Sequence, residues 1–354
     1  MDGDEMEKIG IFGAGAVGCY LGAFMTREGE DVTLIDMWPE NVETIKAKGI
    51  KVSGSQGPFS VQPKILHMHQ AQSIKEQFDI AFIAMKSYDT LWAAQFMEPY
   101  VKPEGFAVSS QNSINDLTVA SVFGHARTVG CVMSKIEVGL FEPGHVTRGG
   151  SPGRDHGHDV FRVGELNGVI TPRVLRVVEM VSSVDGARTT TNLWGERWSK
   201  LAANCQSNPT GAMSGLGSQG MAASEEARRL RMLITREVVQ VGQALDYSLV
   251  PILGVPPETW LKIDDGSVYE ELDAKMQEAG KVDWHASMAQ DVMKGRRTEA
   301  DYMNGLVSRR GREAGVATPV NDAVVEVMHE VESKKRKVGP ENISRVLKKA
   351  EVKG

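Results

Sequence analysis

The most constraining feature of this chain is a glycine-rich segment near its start, where residues 8–18 run Lys-Ile-Gly-Ile-Phe-Gly-Ala-Gly-Ala-Val-Gly. A strand-like apolar stretch precedes the glycines, and a helix-like stretch at residues 19–28 follows them. In this G-x-G-x-x-G pattern the first glycine permits a tight turn, the second lets the backbone approach a pyrophosphate, and the third allows close helix–strand packing. The helix N-terminus then offers unpaired N–H groups to the phosphates. The pattern predicts a dinucleotide site at Gly13, Ala14, Gly15, Ala16, Val17 and Gly18.

An acidic residue follows at the distance that such a site requires. Residues 32–35 are apolar and strand-like, and they end in Asp36, roughly 20 residues beyond the glycines. A carboxylate at that position binds the ribose hydroxyls of NAD and repels the 2′-phosphate of NADP. We therefore expect NAD as the cofactor, with NADP less favoured. The alternative is an ordinary glycine-rich turn that binds no cofactor.

Length, charge and cysteine content limit the class of protein. A chain of 354 residues suggests about two domains, and a net charge of −6 with a pI near 5.8 argues against nucleic acid as the main partner. We expect neither a signal peptide nor a membrane span, because no suitable apolar run is present. The three cysteines are widely spaced and form no disulfide or metal pattern, which favours a reducing cytoplasm. His156 and His158 lack a third partner of suitable spacing, so we expect a polar loop there and no metal site.

The first half of the chain alternates between strand-like and helix-like segments. Strands are predicted at residues 9–12, 32–35, 80–84, 105–109 and 128–134, and helices at residues 41–48, 90–98 and 171–182. Such alternation indicates βαβ units with a parallel sheet, which is an α/β Rossmann domain. Residues 139–164 are rich in glycine and β-branched residues, and they predict antiparallel strands near the edge of that sheet. We place this domain at residues 1–190.

The second half, residues 191–354, is predicted to be all-helical. Apolar residues recur at helical spacing in residues 193–213, 225–247, 298–313 and 321–331. Residues 251–283 contain prolines and many acidic residues and are expected to form an irregular insertion, while the lysine-rich end from residue 334 is expected to be a solvated helix or a frayed tail.

One helix in this second half carries an unusual polar face. Lys200, Asn204 and Asn208 are spaced four residues apart, so they share one side of the predicted helix. A lysine and two amides on one face suit a cleft that binds a polar anion. The alternative is a solvated helix face without a ligand.

The chain resembles the ketopantoate reductases over roughly residues 8–331. Besides the glycine segment, four motifs carry the resemblance. They are Met85-Lys86, Gln111-Asn112, Trp198-Ser-Lys200-Leu-Ala-Ala-Asn204-Cys-Gln-Ser-Asn208-Pro209, and Ser287-Met-Ala-Gln-Asp291 followed by Arg297-Thr-Glu299-Ala-Asp301-Tyr302-x-Asn304-Gly305. The glycine pattern alone occurs in many dehydrogenases, whereas the last two motifs in this order are far more specific.

The resemblance implies a fold and a set of residue roles. The expected fold is an N-terminal Rossmann domain with a helical C-terminal domain of the 6-phosphogluconate-dehydrogenase type, with the active site in the cleft between them and the chain expected to form a homodimer. Lys200 would be the general acid that protonates the substrate carbonyl oxygen, and Glu299 would support it near cofactor and substrate. The other implied site residues are Asn112, Asn204, Asn208 and Ser287 for the substrate, with Lys86, Asn112 and Glu299 near the cofactor.

The chain departs from the family in three places, and these departures argue against ketopantoate as the substrate. Many members prefer NADPH and carry a basic residue after the second strand, where this chain has Asp36. The usual Gln-Asn-Gly is Gln-Asn-Ser here, with Ser113 in place of the glycine, and the lost glycine is expected to narrow that loop. An Asn-Gly that helps to hold pantoate is replaced by Ser218-Gln219. The insertion at residues 251–283 further alters the surroundings.

The sequence therefore predicts an NAD-dependent dehydrogenase or reductase of the ketopantoate-reductase type, acting on a small polar 2-oxo or 2-hydroxy acid or a related alcohol. Two alternatives stay open. One is the biosynthetic 2-dehydropantoate 2-reductase that uses NADPH. The other is a non-catalytic NAD(H) sensor, which would have no need for a proton donor such as Lys200.

Overall fold

Alternating β-strands and α-helices build the first of two units in this computed structural model, which describes residues 6–278 and 282–353. The units are Met1–Leu193 and Trp194–Gly354. The strands of the first unit are β1 (Lys8–Phe12), β2 (Asp31–Asp36), β3 (Ile50–Gly54), β4 (Phe59–Val61), β5 (Lys64–His67), β6 (Phe78–Ile83), β7 (Val101–Ser109), β8 (Thr128–Met133), β9 (Val138–Glu142), β10 (His145–Arg148), β11 (Phe161–Glu165) and β12 (Ala187–Thr189). Its helices are α1 (Ala16–Arg27), α2 (Pro39–Lys48), α3 (Thr90–Met97), α4 (Asp116–Phe123) and α5 (Pro172–Ser182).

Eight strands form one large sheet in the order β12-β11-β8-β7-β6-β1-β2-β5. All neighbouring pairs are parallel except β11 with β8. Strands β1, β2, β6, β7 and β8 run side by side and are buried, as expected for a parallel sheet covered by helices on both faces. One hydrophobic cluster packs this sheet against α1 and α5, and a second packs it against α3 and α4. The predicted Rossmann-like α/β fold is confirmed.

The strands predicted at residues 139–164 do not all join this sheet, which corrects the expectation. Strands β9 and β10 form a hairpin in a separate four-stranded sheet of order β4-β3-β10-β9, and β11 alone of this region joins the large sheet. Apolar residues of the small sheet, including Val52 and Val146, share one core with α1, so the small sheet covers a helix instead of extending the edge. A buried ion pair between Arg148 and Asp185, 2.5 Å long, anchors β10 to the segment after α5.

The second unit is helical. Its helices are α6 (Leu193–Ser214), α7 (Ser218–Ala223), α8 (Glu225–Ala244), α9 (Pro257–Trp260), α10 (Gly266–Gln277), α11 (Ser287–Met293), α12 (Asn304–Ala314), α13 (Pro319–Glu332) and α14 (Glu341–Lys353). In the described part of the unit, the only β pairing is an isolated bridge between Ile252 and Val255. The predicted helical domain is therefore confirmed.

Two segments of this unit are more ordered than the sequence analysis expects. Within residues 251–283, α9 and α10 form, and α10 is tied to α8 by a bidentate pair of Arg228 with Asp273 at 2.6 and 3.1 Å. The lysine-rich end folds into α14, whose Ile343 and Val346 are buried. Lys348 of this helix is exposed and Lys349 Nζ donates to Glu326 of α13 at 2.8 Å, so the charge count concealed an amphipathic helix.

The helix predicted at residues 298–313 begins later than expected, at Asn304. Thr298 accepts a hydrogen bond from the Ala300 backbone N–H at 3.3 Å, and Met303 has non-helical dihedrals of φ −103 and ψ −91. A side chain that bonds nearby backbone competes with helix formation. Glu299 consequently lies just before a short 3-10 turn and is not in the first turn of α12.

Candidate functional site

The three glycines after β1 differ in what they leave room for. A Cβ atom on Gly13 would lie 2.8 Å from the Ala84 carbonyl oxygen, and one on Gly18 would lie 1.8 Å from the Gly13 carbonyl oxygen. The fold itself therefore requires glycine at these two positions, and Gly13 also has a φ of +105. A Cβ on Gly15 would meet no described atom within 4 Å. Nothing in the described protein demands glycine at residue 15, so the open space there suits a ligand.

Gly15 is also the N-cap of α1, and its φ of −74 and ψ of −165 are accessible to any residue. Among the described residues no side chain caps this helix end. The first N–H groups of a helix lack intrahelical partners and carry the positive end of the helix dipole. The open space at Gly15 and the uncapped N–H groups together fit a pyrophosphate.

Asp36 is bonded directly to the glycine loop. One carboxylate oxygen, Oδ2, accepts from the Ala14 backbone N–H at 2.5 Å, and the other, Oδ1, accepts from the Trp38 N–H at 2.7 Å. The Gly13 N–H donates to the Ile35 carbonyl at 2.9 Å, so the ends of β1 and β2 are joined by a second bond. These bonds orient the carboxylate at the carboxyl edge of the sheet, where dinucleotide ribose is bound in this type of fold.

The sequence analysis missed Asn41, which supports the glycine loop from α2. Its side chain is fully buried. Its Nδ2 donates to the Ala14 carbonyl and its Oδ1 accepts from the Gly144 backbone N–H, both at 2.8 Å. The Cys19 thiol donates to the same Ala14 carbonyl at 3.0 Å, and burial raises the pKa of Cys19 to about 12. The available signal was an asparagine on the apolar face of a predicted helix.

The loops after β6 and β7 carry Lys86 and Asn112 and are joined to each other. Gln111 Nε2 donates to the Met85 carbonyl and to Thr90 Oγ1, each at 2.8 Å. Because β6 pairs with β1 and β7 pairs with β6, all in parallel, these loops lie at the same edge of the sheet as the glycine loop. Lys86 and Asn112 are both half-buried there.

Ser113, which replaces the usual glycine, keeps a backbone conformation that favours glycine. Its φ is +66, in the left-handed region, and it is buried. Left-handed backbone costs a non-glycine residue about 1 kcal/mol or more. A serine therefore holds this turn at the expense of local strain.

His158 takes part in a hydrogen-bonded chain of side chains. Arg162 Nη1 donates to Ser134 Oγ at 2.6 Å, and Ser134 Oγ lies 2.7 Å from His158 Nε2. The arginine donates to this hydroxyl, whose oxygen keeps a second lone pair as well as its own proton for the contact with the histidine nitrogen. Burial lowers the pKa of His158, with Lys135 and Arg162 adding to the effect, which favours the neutral ring. Among the described residues no group of three or more His, Cys, Asp or Glu could hold a metal ion.

In the second unit, four of the predicted site residues form one hydrogen-bonded row. Lys200 Nζ donates to Asn204 Oδ1 at 2.8 Å, and Asn208 Nδ2 donates to the Asn204 backbone carbonyl at 3.3 Å. Asn208 Oδ1 in turn accepts from Ser287 Oγ at 3.1 Å and from the Met288 N–H at 3.3 Å. The row joins α6 to the N-terminus of α11. It is a set of amide and hydroxyl groups with one ammonium, suited to a small polar anion.

Helix α6 is held in place by the tryptophan that precedes the lysine. Trp198 is 1% exposed, and its Nε1 donates to the Val238 carbonyl of α8 at 2.7 Å. Its ring packs on Tyr247 with centroids 5.3 Å apart. Gly242 faces the indole, and a Cβ there would lie 2.4 Å from Nε1. This anchor fixes the rotation of α6 and therefore the direction of its polar face.

Glu299 lies on a different segment of the same unit and is 3% exposed. Its backbone carbonyl accepts from the N–H groups of Tyr302 and Met303, both at 3.0 Å. The preceding Thr298 N–H donates to Glu332 Oε1 at 2.7 Å. The segment that carries Glu299 is thus pinned on both sides.

The two residues that depart from the family near α7 hold the segment leading to Ser287. The Ser218 N–H donates to the Trp284 carbonyl, and the Trp284 N–H donates to Ser218 Oγ, both at 3.0 Å. Asp283 accepts from the Gln219 N–H at 2.8 Å. The sequence analysis singled out Ser218 and Gln219, but it could not show that they are bonded to the segment that leads to Ser287.

Comparison with known protein families agrees with these two sets of residues. The family model described as "Ketopantoate reductase PanE/ApbA" matches residues 9–158, and the model of its C-terminal domain matches residues 192–332. The chain belongs to the ketopantoate reductase family. It is therefore a pyridine-nucleotide-dependent oxidoreductase that acts on CH–OH groups, and the predicted resemblance is confirmed.

Individual relatives of this ketopantoate reductase family member are distant but match it along nearly their whole length. A 2-dehydropantoate 2-reductase of Aquifex aeolicus is 26% identical over 327 residues, which cover 91% of this chain and 96% of the relative. A PanE/ApbA family ketopantoate reductase from Ralstonia eutropha JMP134 is similar in structure with a TM-score of 0.74 at 24% identity, covering 93% of this chain and 99% of that one.

A second solved structure extends the comparison to a different activity. D-mandelate dehydrogenase in a ternary structure with NADH and anilino(oxo)acetate gives a TM-score of 0.77 at 22% identity, covering 92% of this chain and 98% of that one. At such identities the structural likeness concerns the fold alone. In the part of the chain that the structure describes, no helix is both long and apolar enough to cross a bilayer.

Proposed function

We propose that this protein is an NAD-dependent oxidoreductase that interconverts a small polar 2-oxo acid and its 2-hydroxy acid, with Lys200 as the general acid and base. The observation that carries the proposal is the row from Lys200 through Asn204 and Asn208 to Ser287, with its single ammonium bonded to an amide at 2.8 Å. The glycine loop of the first unit supplies the complementary part, a place for the pyrophosphate.

The residues of the chain divide the chemistry between them. When bound, the nicotinamide supplies or accepts the hydride. Lys200 donates a proton from Nζ to the substrate carbonyl oxygen in reduction and accepts it in oxidation. Its positive charge stabilises the alkoxide that develops on that oxygen. Asn204 Oδ1 accepts from Nζ and so directs the ammonium group.

The remaining site residues of the second unit bind the substrate or support Lys200. Asn208 and Ser287 provide amide and hydroxyl groups for the polar end of the substrate, and we assign to the carboxylate of Glu299 the support of Lys200. In the first unit Lys86 and Asn112 would lie near the nicotinamide end of the cofactor, because their loops follow β6 and β7, the next two parallel strands after β1 in the sheet. These assignments rest on motif position together with the burial and bonding described above.

Preference for NAD over NADP is proposed from Asp36. Its carboxylate is fixed by two backbone N–H groups at the end of β2 and is only 8% exposed. Placing a 2′-phosphate close to this charge would be unfavourable by about a few kcal/mol at an effective dielectric of about 20. The NADH in the D-mandelate dehydrogenase structure supports the idea that this scaffold accommodates NAD.

We propose that the substrate is not ketopantoate. Ser113, Ser218 and Gln219 all differ from the usual residues, and the structure ties Ser218 and Gln219 to the segment before Ser287. Changes in such surrounding contacts alter substrate discrimination by orders of magnitude when they leave polar groups unpaired. D-mandelate dehydrogenase shares the fold, which supports a 2-hydroxy acid other than pantoate.

The second candidate function is 2-dehydropantoate 2-reductase with NADPH. The observation in its favour is that the relative from Aquifex aeolicus carries that name and matches 91% of this chain. This candidate keeps the same roles for Lys200 and Glu299 but requires Asp36 to tolerate the 2′-phosphate.

Binding titrations of NADH and NADPH, followed by nicotinamide fluorescence, test the cofactor part of the proposal. We expect tighter binding of NADH by the wild type and a smaller preference in Asp36→Asn, which removes the charge and keeps an acceptor for one of the two backbone N–H groups. Tighter binding of NADPH by the wild type would favour the second candidate. A screen of 2-oxo acids with both cofactors then tests for turnover, and size-exclusion chromatography tests the expected homodimer.

A further inference from the structure

Helix α6 contains a proline in the middle of its polar row. Pro209 has no N–H, so the carbonyl of Cys205, four residues earlier, loses its intrahelical hydrogen bond. A proline ring at such a position also crowds that carbonyl. Cys205 lies directly after Asn204 and before Asn208, so the break falls between the two halves of the row.

A side chain from another helix takes the place of the missing N–H. Asn304, the first residue of α12, is fully buried, and its Nδ2 donates to the Cys205 carbonyl at 3.2 Å. The same amino group donates to Asn321 Oδ1 at 2.9 Å. An asparagine side chain has two N–H donors, and both are used here.

Asn304 is itself held by a buried network. Asn321 Nδ2 donates to Glu237 Oε2 at 2.7 Å. Glu237 is 4% exposed, and its two carboxylate oxygens also accept the Val320 and Asn321 backbone N–H groups at the start of α13, at 2.8 and 2.9 Å. The network therefore joins α8, α13 and α12 to one carbonyl of α6. Asn304 Oδ1 is buried without a hydrogen-bond partner among the described residues, so the network is held through the Asn304 amino group and the carboxylate of Glu237.

We propose that Asn304 is a positioning residue of the reaction, which bonds the Cys205 carbonyl and thereby holds this point of α6 in place, so that Lys200 and Asn204 keep their positions relative to Asn208 and Ser287. This inference rests on the proposed function. It connects Asn304 with Pro209, although 95 residues separate them in the chain. Displacement of a catalytic group by about 1 Å can cost about 100-fold in rate, so a small shift of α6 at Cys205 is sufficient to matter.

The proline offers a direct rescue experiment. In Asn304→Ala the Cys205 carbonyl loses its donor, and we expect kcat with the best substrate to fall at least about tenfold while the NADH dissociation constant stays within about twofold. Adding Pro209→Ala supplies a backbone N–H at residue 209. On a logarithmic scale, we expect the double variant to recover at least about half of the decrease in kcat, since the Cys205 carbonyl is bonded again within the helix.

Asn342 provides a matched control in the same unit. It is also a fully buried asparagine, and its Nδ2 donates to the Met213 carbonyl near the end of α6 and to the Lys337 carbonyl, at 2.8 and 2.9 Å. Asn342→Ala removes an equivalent pair of bonds away from the row. We expect it to lower thermal stability as Asn304→Ala does, yet to leave kcat within about twofold of the wild type.

Equal losses of kcat in the two alanine variants, or the absence of rescue by Pro209→Ala, would overturn the proposal. If Asn304→Ala does not accumulate as folded protein, Asn304→Gln keeps both donors but displaces them by one methylene, and it carries the same expectations.

A second readout needs no turnover and separates this proposal from the proposed function. The rate of acetylation of Lys200 by acetic anhydride can be measured by peptide mass spectrometry and divided by that of the exposed Lys262. We expect this ratio to rise at least about threefold in Asn304→Ala, because Asn204 no longer directs the ammonium, and to return in the double variant. An unchanged ratio contradicts the positioning role, whereas a wild type without turnover but with the expected ratio contradicts only the proposed function.

Discussion

The glycine loop of the first unit and the polar row of the second unit are built in opposite ways. The loop uses backbone groups from one short stretch, and its shape follows from Gly13 and Gly18 with support from Asp36 and Asn41. The row uses side chains from α6 and α11, and its geometry depends on a buried network that reaches α8, α12 and α13.

This difference corresponds to the two tasks. A pyrophosphate is the same in every dinucleotide, so backbone N–H groups and a helix dipole suffice to bind it. A substrate differs from one family member to the next, so side chains must recognise it and their surroundings can change. We therefore expect substitutions in the loop to affect folding and cofactor binding, and substitutions in the row to affect turnover.

The largest expected effect is that of Lys200→Ala. Loss of the proton donor should lower kcat by about 10² to 10⁴, with NADH affinity nearly unchanged because the lysine belongs to the row. Stopped assays with the best substrate measure this, and Lys262→Ala, at an exposed site of the same unit, is the control. Retention of more than about a tenth of kcat would show that Lys200 is not the general acid.

Two glycine substitutions sharpen the comparison within the loop. Gly18→Ala places a methyl group 1.8 Å from the Gly13 carbonyl oxygen, so we expect it to lower the free energy of unfolding by about 3 kcal/mol or more. Gly15→Ala should change that free energy by less than about 1 kcal/mol and still weaken NADH binding at least about tenfold. Urea unfolding and NADH titration distinguish them, and comparable destabilisation by both would contradict the ligand-specific role of Gly15.

The buried network predicts a pH-dependent stability. Burial raises the pKa of the Glu237 carboxyl from 4.5 to about 7. Hydrogen bonds from the backbone N–H groups of Asn321 and Val320 and from the Asn321 side chain act in the opposite direction and lower this pKa. At pH values between 4.5 and 7, Glu237 is protonated in the folded protein but ionised in the unfolded chain. The stabilisation that comes from the protonated Glu237 is therefore complete below pH 4.5 and is lost as the pH rises through 7. The unfolding free energy of the wild type minus that of Glu237→Gln should fall by about 3 kcal/mol over this range. A difference in unfolding free energy that stays constant or rises with pH would contradict this prediction.

The smallest effect concerns Ser113. Because its φ is +66, Ser113→Gly should relieve left-handed strain and raise the free energy of unfolding by up to about 1 kcal/mol. Ser121→Gly on α4, where glycine is a poor helix former, should lower it and serves as the control of opposite sign. Thermal melts of both variants decide the matter, and destabilisation by Ser113→Gly would show that its buried hydroxyl outweighs the strain.

Local patterns made the first unit largely predictable from its sequence. Hydrophobic runs marked the five central strands, and glycine spacing marked the loop, because both depend on neighbours in the chain. The small sheet was missed since its strands β3 and β4 are only five and three residues long, and β3 pairs with β10 about 90 residues away. Asn41 was missed for the same reason, because its partner Gly144 lies 103 residues further along.

In the second unit, helical spacing placed Lys200, Asn204 and Asn208 on one face, and the structure bonds them as neighbours. Their link to Ser287 crosses 79 residues and came only from the family resemblance. The role of Asn304 depends on a carbonyl that Pro209 leaves without a partner, which becomes visible only when both helices are in place. Pairings between distant segments are set by tertiary packing and leave no periodic signal in either segment.

The measurement that tests the central claim most directly is the steady-state kcat/KM of the wild type for ketopantoate and for a panel of other 2-oxo acids, each with NADH and with NADPH. We predict that another 2-oxo acid with NADH exceeds ketopantoate at least about tenfold. Efficient reduction of ketopantoate with NADPH, at about 10⁴ M⁻¹s⁻¹ or above, would contradict both the proposed substrate class and the cofactor preference.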